Sequence, residues 1–147
     1  QEATQVSLPT SGTVLMSISD RDKPAVLQVA REFAGLGFKI KATDGTYRFL
    51  KKNGIKSEPI KKLYEGRPNI VDSIMNKEIQ LVINTPAGKQ GQSDDSYIRK
   101  AAIKYKIPYI TTIAAAKASV KGIAAYNDSS GKDDVKSLQS YYTNIKD

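Results

Sequence analysis

Along this chain, short apolar runs of strand character alternate about five times with stretches of helical spacing, and that rhythm restricts the fold more than any other feature. Residues 13–19 (TVLMSIS) are apolar and β-branched and predict a buried strand. Residues 22–36 then place Val26, Leu27, Val29, Ala30, Phe33 and Ala34 at helical intervals. Asp20 or Asp22 can cap that helix, Pro24 suits its first turn, and Gly35 or Gly37 closes it. A second strand follows at 38–43, and a helix at 47–52 is stopped by Asn53-Gly54. A short strand at 58–63 precedes a helix at 69–76 with Ile70, Ile74 and Met75 on one face. The nearly all-apolar run 80–84 (QLVIN) predicts a central strand. Helix 96–105, strand 109–111 and helix 114–126 complete the pattern.

Strands separated by helices pair in parallel, and right-handed crossovers cover both faces of the sheet. The expected fold is therefore α/β, a Rossmann-like, doubly wound, five-stranded parallel sheet with helices on both faces. A chain of 147 residues fits one such domain. The organised part runs over 12–126, between a flexible N-terminal flank at 1–11 and a polar C-terminal tail at 127–147. Val135, Leu138 and Tyr141 or Tyr142 can dock a last helix from that tail. Gln1 at the start suggests a piece of something longer.

Several function classes fall away. The chain contains no cysteine and no histidine, which excludes disulfides, cysteine-bound zinc, thiol nucleophiles and imidazole-based triads. No run approaches the roughly 18–20 apolar residues of a membrane span, and no secretory signal opens the chain, so the expected location is the cytoplasm. The net charge of +8 can attract anions, but lysines scattered from Lys23 to Lys146 favour a solvated basic surface over nucleic-acid binding.

In an open parallel sheet, ligands bind beyond the carboxyl ends of the strands, where helix N-termini point outward. The five exits here carry Ser19-Asp20-Arg21-Asp22-Lys23, then Thr43-Asp44-Gly45-Thr46, Lys61-Lys62, Asn84-Thr85-Pro86 and Thr111-Thr112. Hydrogen-bond donors dominate this edge, so its natural guest is an anion. In the second exit, Gly45 lets backbone approach a ligand closely while Thr43 and Thr46 offer hydroxyls. The competing reading is that Thr43 only caps the following helix.

Other motifs carry less. Neither GxxxxGK[ST] nor GxGxxG is present. Glu65-Gly66-Arg67-Pro68-Asn69 reads as a structural turn in which Glu65 pairs with a lysine, with a ligand contact as the alternative. Asp94-Asp95 is expected to cap a helix rather than hold a metal, and 88–92 (GKQGQ) to form a flexible loop.

The ordered series GTVLMSISDRDK, KATDGT, KKLYEGRPNIVDSI, LVINTPAG and SYIRKAAIKYKIPYITT resembles the C-terminal methylglyoxal-synthase-like domain of carbamoyl phosphate synthetase large subunits. The resemblance covers 12–126 and implies a sheet of strand order 3-2-1-4-5. It further implies an allosteric domain that binds UMP or IMP. Lys23, Thr43, Gly45, Thr46 and Lys62 would surround the effector phosphate, with Asn84 and Thr85 beside them. Tyr109 and Thr111 match positions near a second effector or domain boundary, with Ile110 where ornithine-responsive relatives place a carboxylate. Pro86 stands where the family often has a hydroxyl, and the absence of Trp favours a nucleotide over N-acetylglutamate.

The resemblance implies no cofactor in this domain, with ATP, magnesium and potassium belonging to the full-length ligase. Its implied partners are the remaining synthetase domains, the glutaminase small subunit and a further copy of the chain, with neither nucleic acid nor membrane among them. Methylglyoxal synthases need a catalytic aspartate and a histidine. Gly66-Arg67-Pro68 fills the aspartate's turn here, which leaves only Asp44, Asp72 or Asp94 as a base for the alternative, a phosphate-eliminating lyase.

Overall fold

The computed structural model describes residues 9–62, 65–85 and 89–136. Five strands form one parallel sheet in the order β3-β2-β1-β4-β5. They are β1 (Thr13–Ser17), β2 (Lys39–Ala42), β3 (Glu58–Pro59), β4 (Leu81–Asn84) and β5 (Tyr109–Ile110), and the helices between and after them are α1 (Lys23–Gly35), α2 (Asp44–Lys52), α3 (Ile70–Met75), α4 (Lys89–Lys104) and α5 (Ile113–Lys136). A 3-10 turn at Asp20–Asp22 leads into α1.

Alternation along β1 explains the layering. Val14 and Met16 face a core built with Val26, Val29, Ala30 and Phe33 of α1, Leu50 of α2, and Ala116, Val120 and Ile123 of α5. Leu15 faces the opposite core, filled by Ile70 and Ile74 of α3 and Ile98 and Ala102 of α4. All five residues of β1 are buried, as expected for a strand covered on both faces. Phe33 meets Phe38 edge-to-face, with ring centroids 5.1 Å apart. Beyond α1, Gly37 takes φ +95° while its N–H donates to the Ala34 carbonyl at 3.0 Å, so of the two glycines it is the one that reverses the chain.

Beyond shifts of one or two residues, as where β1 ends at Ser17 and not at Ser19, four boundaries depart from the sequence reading. Helix α2 begins at Asp44, so Asp44, Gly45 and Thr46 form its first turn, with Thr43 at the N-cap. Strand β3 is two residues long, although the Ile60 N–H still reaches the Ala42 carbonyl at 2.9 Å. Helix α4 starts at Lys89, so 89–92 are helical rather than a loop, and Asp94 and Asp95 lie inside the helix rather than before it. Lysine and glutamine propagate a helix well, and one glycine costs only about 1 kcal/mol. Helix α5 continues past Tyr126 to Lys136, since no proline interrupts it. Leu63, Pro86, Gly88, Leu138, Tyr141 and Tyr142 lie outside the described residues. Among those described, no helix is long and apolar enough to cross a membrane.

Candidate functional site

The carboxyl edge of the sheet is organised by two consecutive amides. Beyond β1, the Ile18 N–H donates to the hydroxyl oxygen of Thr46 at 2.9 Å, and the Ser19 N–H to that of Thr85 at 2.8 Å. Because β1 lies between β2 and β4, the chain leaving it is gripped from both sides by threonines that follow its neighbours. Each hydroxyl spends a lone pair on this grip and keeps its proton. Among the described residues those protons have only long partners, the Ile18 carbonyl at 3.4 Å for Thr46 and the Ser19 hydroxyl at 3.4 Å for Thr85. Thr43 likewise contacts the Ser17 hydroxyl at 3.3 Å. An O–H···O bond prefers about 2.7–2.8 Å, so each proton can rotate to a better acceptor. All three threonines are buried, together with Ser17 and Ser19.

Thr43 occupies the N-cap position of α2, yet its side chain makes no capping hydrogen bond. The capping reading of this residue is therefore not what the structure holds. The first-turn N–H groups of a helix have no intrahelical carbonyl to meet, and here none receives the cap oxygen. Over this turn lies the Lys23 ammonium, 3.4 Å from where a Cβ on Gly45 would sit. The Lys23 side chain is 16% exposed and is ion-paired to Asp20, whose carboxylate is 96% exposed. The Lys23 hydrogen bond, and then its charge, hold the Asp20 carboxyl below the usual carboxylate range.

Lys23, Thr43, Gly45 and Thr46 are thus gathered at one place. Lys62 leaves β3 at the same sheet edge, where its backbone closes a turn. Its N–H donates to Glu65 Oε1 at 2.8 Å, and its carbonyl accepts the Glu65 N–H at 3.0 Å. Glu65 therefore takes a lysine's amide, where an ammonium was expected. The Lys62 ammonium makes no ion pair with a described residue. Asn84 ends β4 fully buried, its Nδ2 donating to the Tyr109 hydroxyl at 3.0 Å and its Oδ1 without a hydrogen-bond partner among the described residues. Thr111 is exposed past β5, while Thr112 caps α5 by accepting the Ala115 N–H at 3.1 Å.

Sequence reasoning missed Ser17 and the second role of Ser19. Ser17 lies inside a strand-like run, where a serine gives no ligand signal. Ser19 donates to Asp22 Oδ2 at 2.9 Å, which leaves Asp22 at the N-cap of α1 without a capping bond.

The GRP turn forms a separate unit. Asn69 caps α3 by accepting the Val71 and Asp72 N–H groups at 2.9 and 3.3 Å, and Asp72 returns an acceptor to the Asn69 N–H at 2.9 Å. Arg67 pairs with Asp72 at 2.7 Å. The Asn69 N–H, followed by Arg67, keeps the Asp72 carboxyl below its ordinary value against the opposing effect of burial. Asp44 pairs with Arg48 at 2.8 Å. Two of the three carboxylates considered as lyase bases are thus engaged elsewhere, and the Asp94 side chain lies outside the described residues.

Residues 25–111 match the family model of the MGS-like domain. The chain belongs to the MGS-like domain family. This MGS-like domain is 51% identical over 138 residues to the carbamoyl phosphate synthase large chain of Nostoc sp., covering 94% of this chain and 12% of that protein. It is 47% identical to the C-terminal section of the large chain from Aquifex aeolicus, covering 92% of this chain and 26% of that protein. The large chain of Archaeoglobus fulgidus is 47% identical across 95% of this chain and 13% of its own length. The MGS-like domain thus spans a small part of the relatives it matches. Among solved structures, a methylglyoxal synthase from Elizabethkingia anophelis superposes with a TM-score of 0.63 at 17% identity, over 77% of this chain and 79% of that one. The sheet order and the resemblance stated from sequence both hold.

Proposed function

We propose that this MGS-like domain is the effector-binding regulatory unit of a carbamoyl phosphate synthetase large subunit, taking a nucleoside monophosphate such as UMP or IMP. The observation that carries this reading is the uncapped N-terminus of α2 beneath the Lys23 ammonium. Free amides, a positive helix end and a cation aimed at one point suit a phosphate group. Thr43, Thr46 and Thr85 supply hydroxyl protons with no strong acceptor among the described residues. Lys62 adds a second cation from β3, and the unpartnered Oδ1 of Asn84 offers an acceptor to a donor on the sugar or base.

Bound this way, the ligand is held without being transformed. In isolation the domain binds and does not catalyse. In the full-length enzyme, an ATP-dependent and glutamine-using ligase of pyrimidine and arginine biosynthesis, occupancy biases how the domain packs on the synthetase units. A coupling of about 1–3 kcal/mol is enough for regulation. To Tyr109 and Thr111, on the outermost strand and just past it, we assign a second effector or the neighbouring domain, as the family resemblance implies.

Calorimetric titration with UMP and IMP tests the reading. Wild type is expected to bind at least one of them, and the Thr43→Ala/Lys62→Ala double variant to lose at least tenfold in affinity. Equal heats from both proteins would remove the assigned site. Release of methylglyoxal from dihydroxyacetone phosphate would replace the regulatory reading with the lyase.

A further inference from the structure

We infer that Asp20 is an internal competitor for the phosphate, occupying Lys23 until a ligand takes its place, and so sets the ligand concentration at which the site fills. This rests on the proposed phosphate site and names a residue outside it that tunes its affinity.

Asp20 is 96% exposed and gains no packing, and Lys23 is its partner among the described residues. The 3-10 turn, closed by the Lys23 N–H on the Asp20 carbonyl, brings the two side chains together three residues apart. Lys23 is quite different. Its side chain is 16% exposed, with its ammonium against the first turn of α2. Two positive features, the ammonium and the helix end, therefore face each other, and without an anion they repel. Asp44, in the first turn of α2, is paired with Arg48, and the Asp20 carboxylate is the negative group that reaches the ammonium.

A ligand phosphate needs the same ammonium, so it must displace Asp20 or share Lys23 with it. An exposed ion pair is a weak restraint, and its release lowers ligand affinity by a small factor rather than blocking entry. Arg21, next in the chain, leans toward Asp22 at 3.8 Å, and Arg48 is held by Asp44 at 2.8 Å. Neither stands ready to receive Asp20 once Lys23 turns away. The carboxylate is then released to water, at no cost in burial.

Isothermal titration of the full 147-residue chain with inorganic phosphate and with UMP tests this. Asp20→Asn is expected to tighten binding about two- to fivefold, the range an exposed pair supports. In the Lys23→Met background the same change is expected to leave affinity within a factor of about 1.5, because there is no ammonium to contest. Should Lys23→Met abolish measurable binding, the Asp20 carboxyl pKa, read by carbon NMR with and without phosphate, decides instead. A rise toward the ordinary carboxylate value is expected, whereas an unchanged value overturns the inference. Unchanged or weaker binding by Asp20→Asn overturns it too, as does equal tightening with and without Lys23. Binding by neither wild type nor Asp20→Asn removes the phosphate site itself, an outcome distinct from wild-type binding that ignores Asp20.

Discussion

Thr46 and Ile18 are joined through one hydroxyl oxygen, which accepts the Ile18 N–H at 2.9 Å across 28 residues of sequence. The contact ties the first turn of α2 to the end of β1, so the positive helix end and the exit carrying Lys23 are set by the same bond. Replacing Thr46 by Val keeps the shape but leaves a buried N–H without an acceptor. A loss of about 1–3 kcal/mol is expected from urea unfolding. Thr46→Ser retains the oxygen and is expected to recover most of that loss. A valine variant as stable as wild type would show that the bond contributes nothing.

Gly45 separates folding from binding. It lies inside α2, and a Cβ there would meet only the Lys23 ammonium at 3.4 Å, an ordinary contact. Gly45→Ala is therefore expected to leave stability unchanged or raise it by up to about 1 kcal/mol, since alanine favours the helix. The same methyl group projects toward the space proposed for the phosphate, so affinity for UMP or inorganic phosphate should fall at least fivefold. Binding at wild-type strength would place the ligand elsewhere.

The α3 cap gives an acid-range signature. Asn69 is buried and holds two N–H groups, so Asn69→Ala should destabilise by about 0.5–2 kcal/mol. The Asp72 carboxyl sits below its ordinary value, so the folded protein takes up that proton less readily than the unfolded chain. The resulting stabilisation is complete above the unfolded value of about 3.9 and is lost as pH falls through the lower folded value. Asp72→Asn removes this dependence. Unfolding free energies measured from about pH 6 down to 2 should converge for the two proteins at the acid end. Parallel curves would assign the depressed value to another carboxylate.

Tyr109→Phe takes away the hydroxyl that accepts the Asn84 amide N–H, leaving the buried Nδ2 without this partner. A loss of about 1–3 kcal/mol is expected in thermal or urea unfolding. A phenylalanine variant of wild-type stability would mean that the Asn84 amide finds another acceptor.

Much of this architecture was legible in the residues. The two-faced burial of β1 follows from TVLMS, whose three central side chains, Val14, Leu15 and Met16, are all apolar. Helix α1 was visible through Val26, Val29, Ala30 and Phe33, which recur on one face. Site residues were harder to read. Thr43 and Thr46 stood out because threonines around a glycine at a strand exit suggest donors. Whether Thr43 capped its helix was not decidable from sequence, since a threonine at an N-cap usually does so. The Ser17 hydroxyl that it contacts in the folded chain is 26 residues earlier.

Helix starts show the same division. Asn69 and Asp72, three residues apart, form a local capping box that spacing alone can suggest. The start of α4 at Lys89 could not be placed that way, because glycines and polar residues satisfy both a loop and a helix.

By itself, the sequence determined which segments are buried and in what period, hence the alternating elements and the parallel sheet they can form. Apolar periodicity is a property of neighbouring residues and needs no tertiary information. The tertiary structure alone decided the grip of Thr46 and Thr85 on consecutive amides, the uncapped end of α2, and the position of Lys23 over Gly45. Each of these joins residues from different strand exits, and a hydrogen bond of about 3 Å exists only once the sheet has brought those exits to one edge.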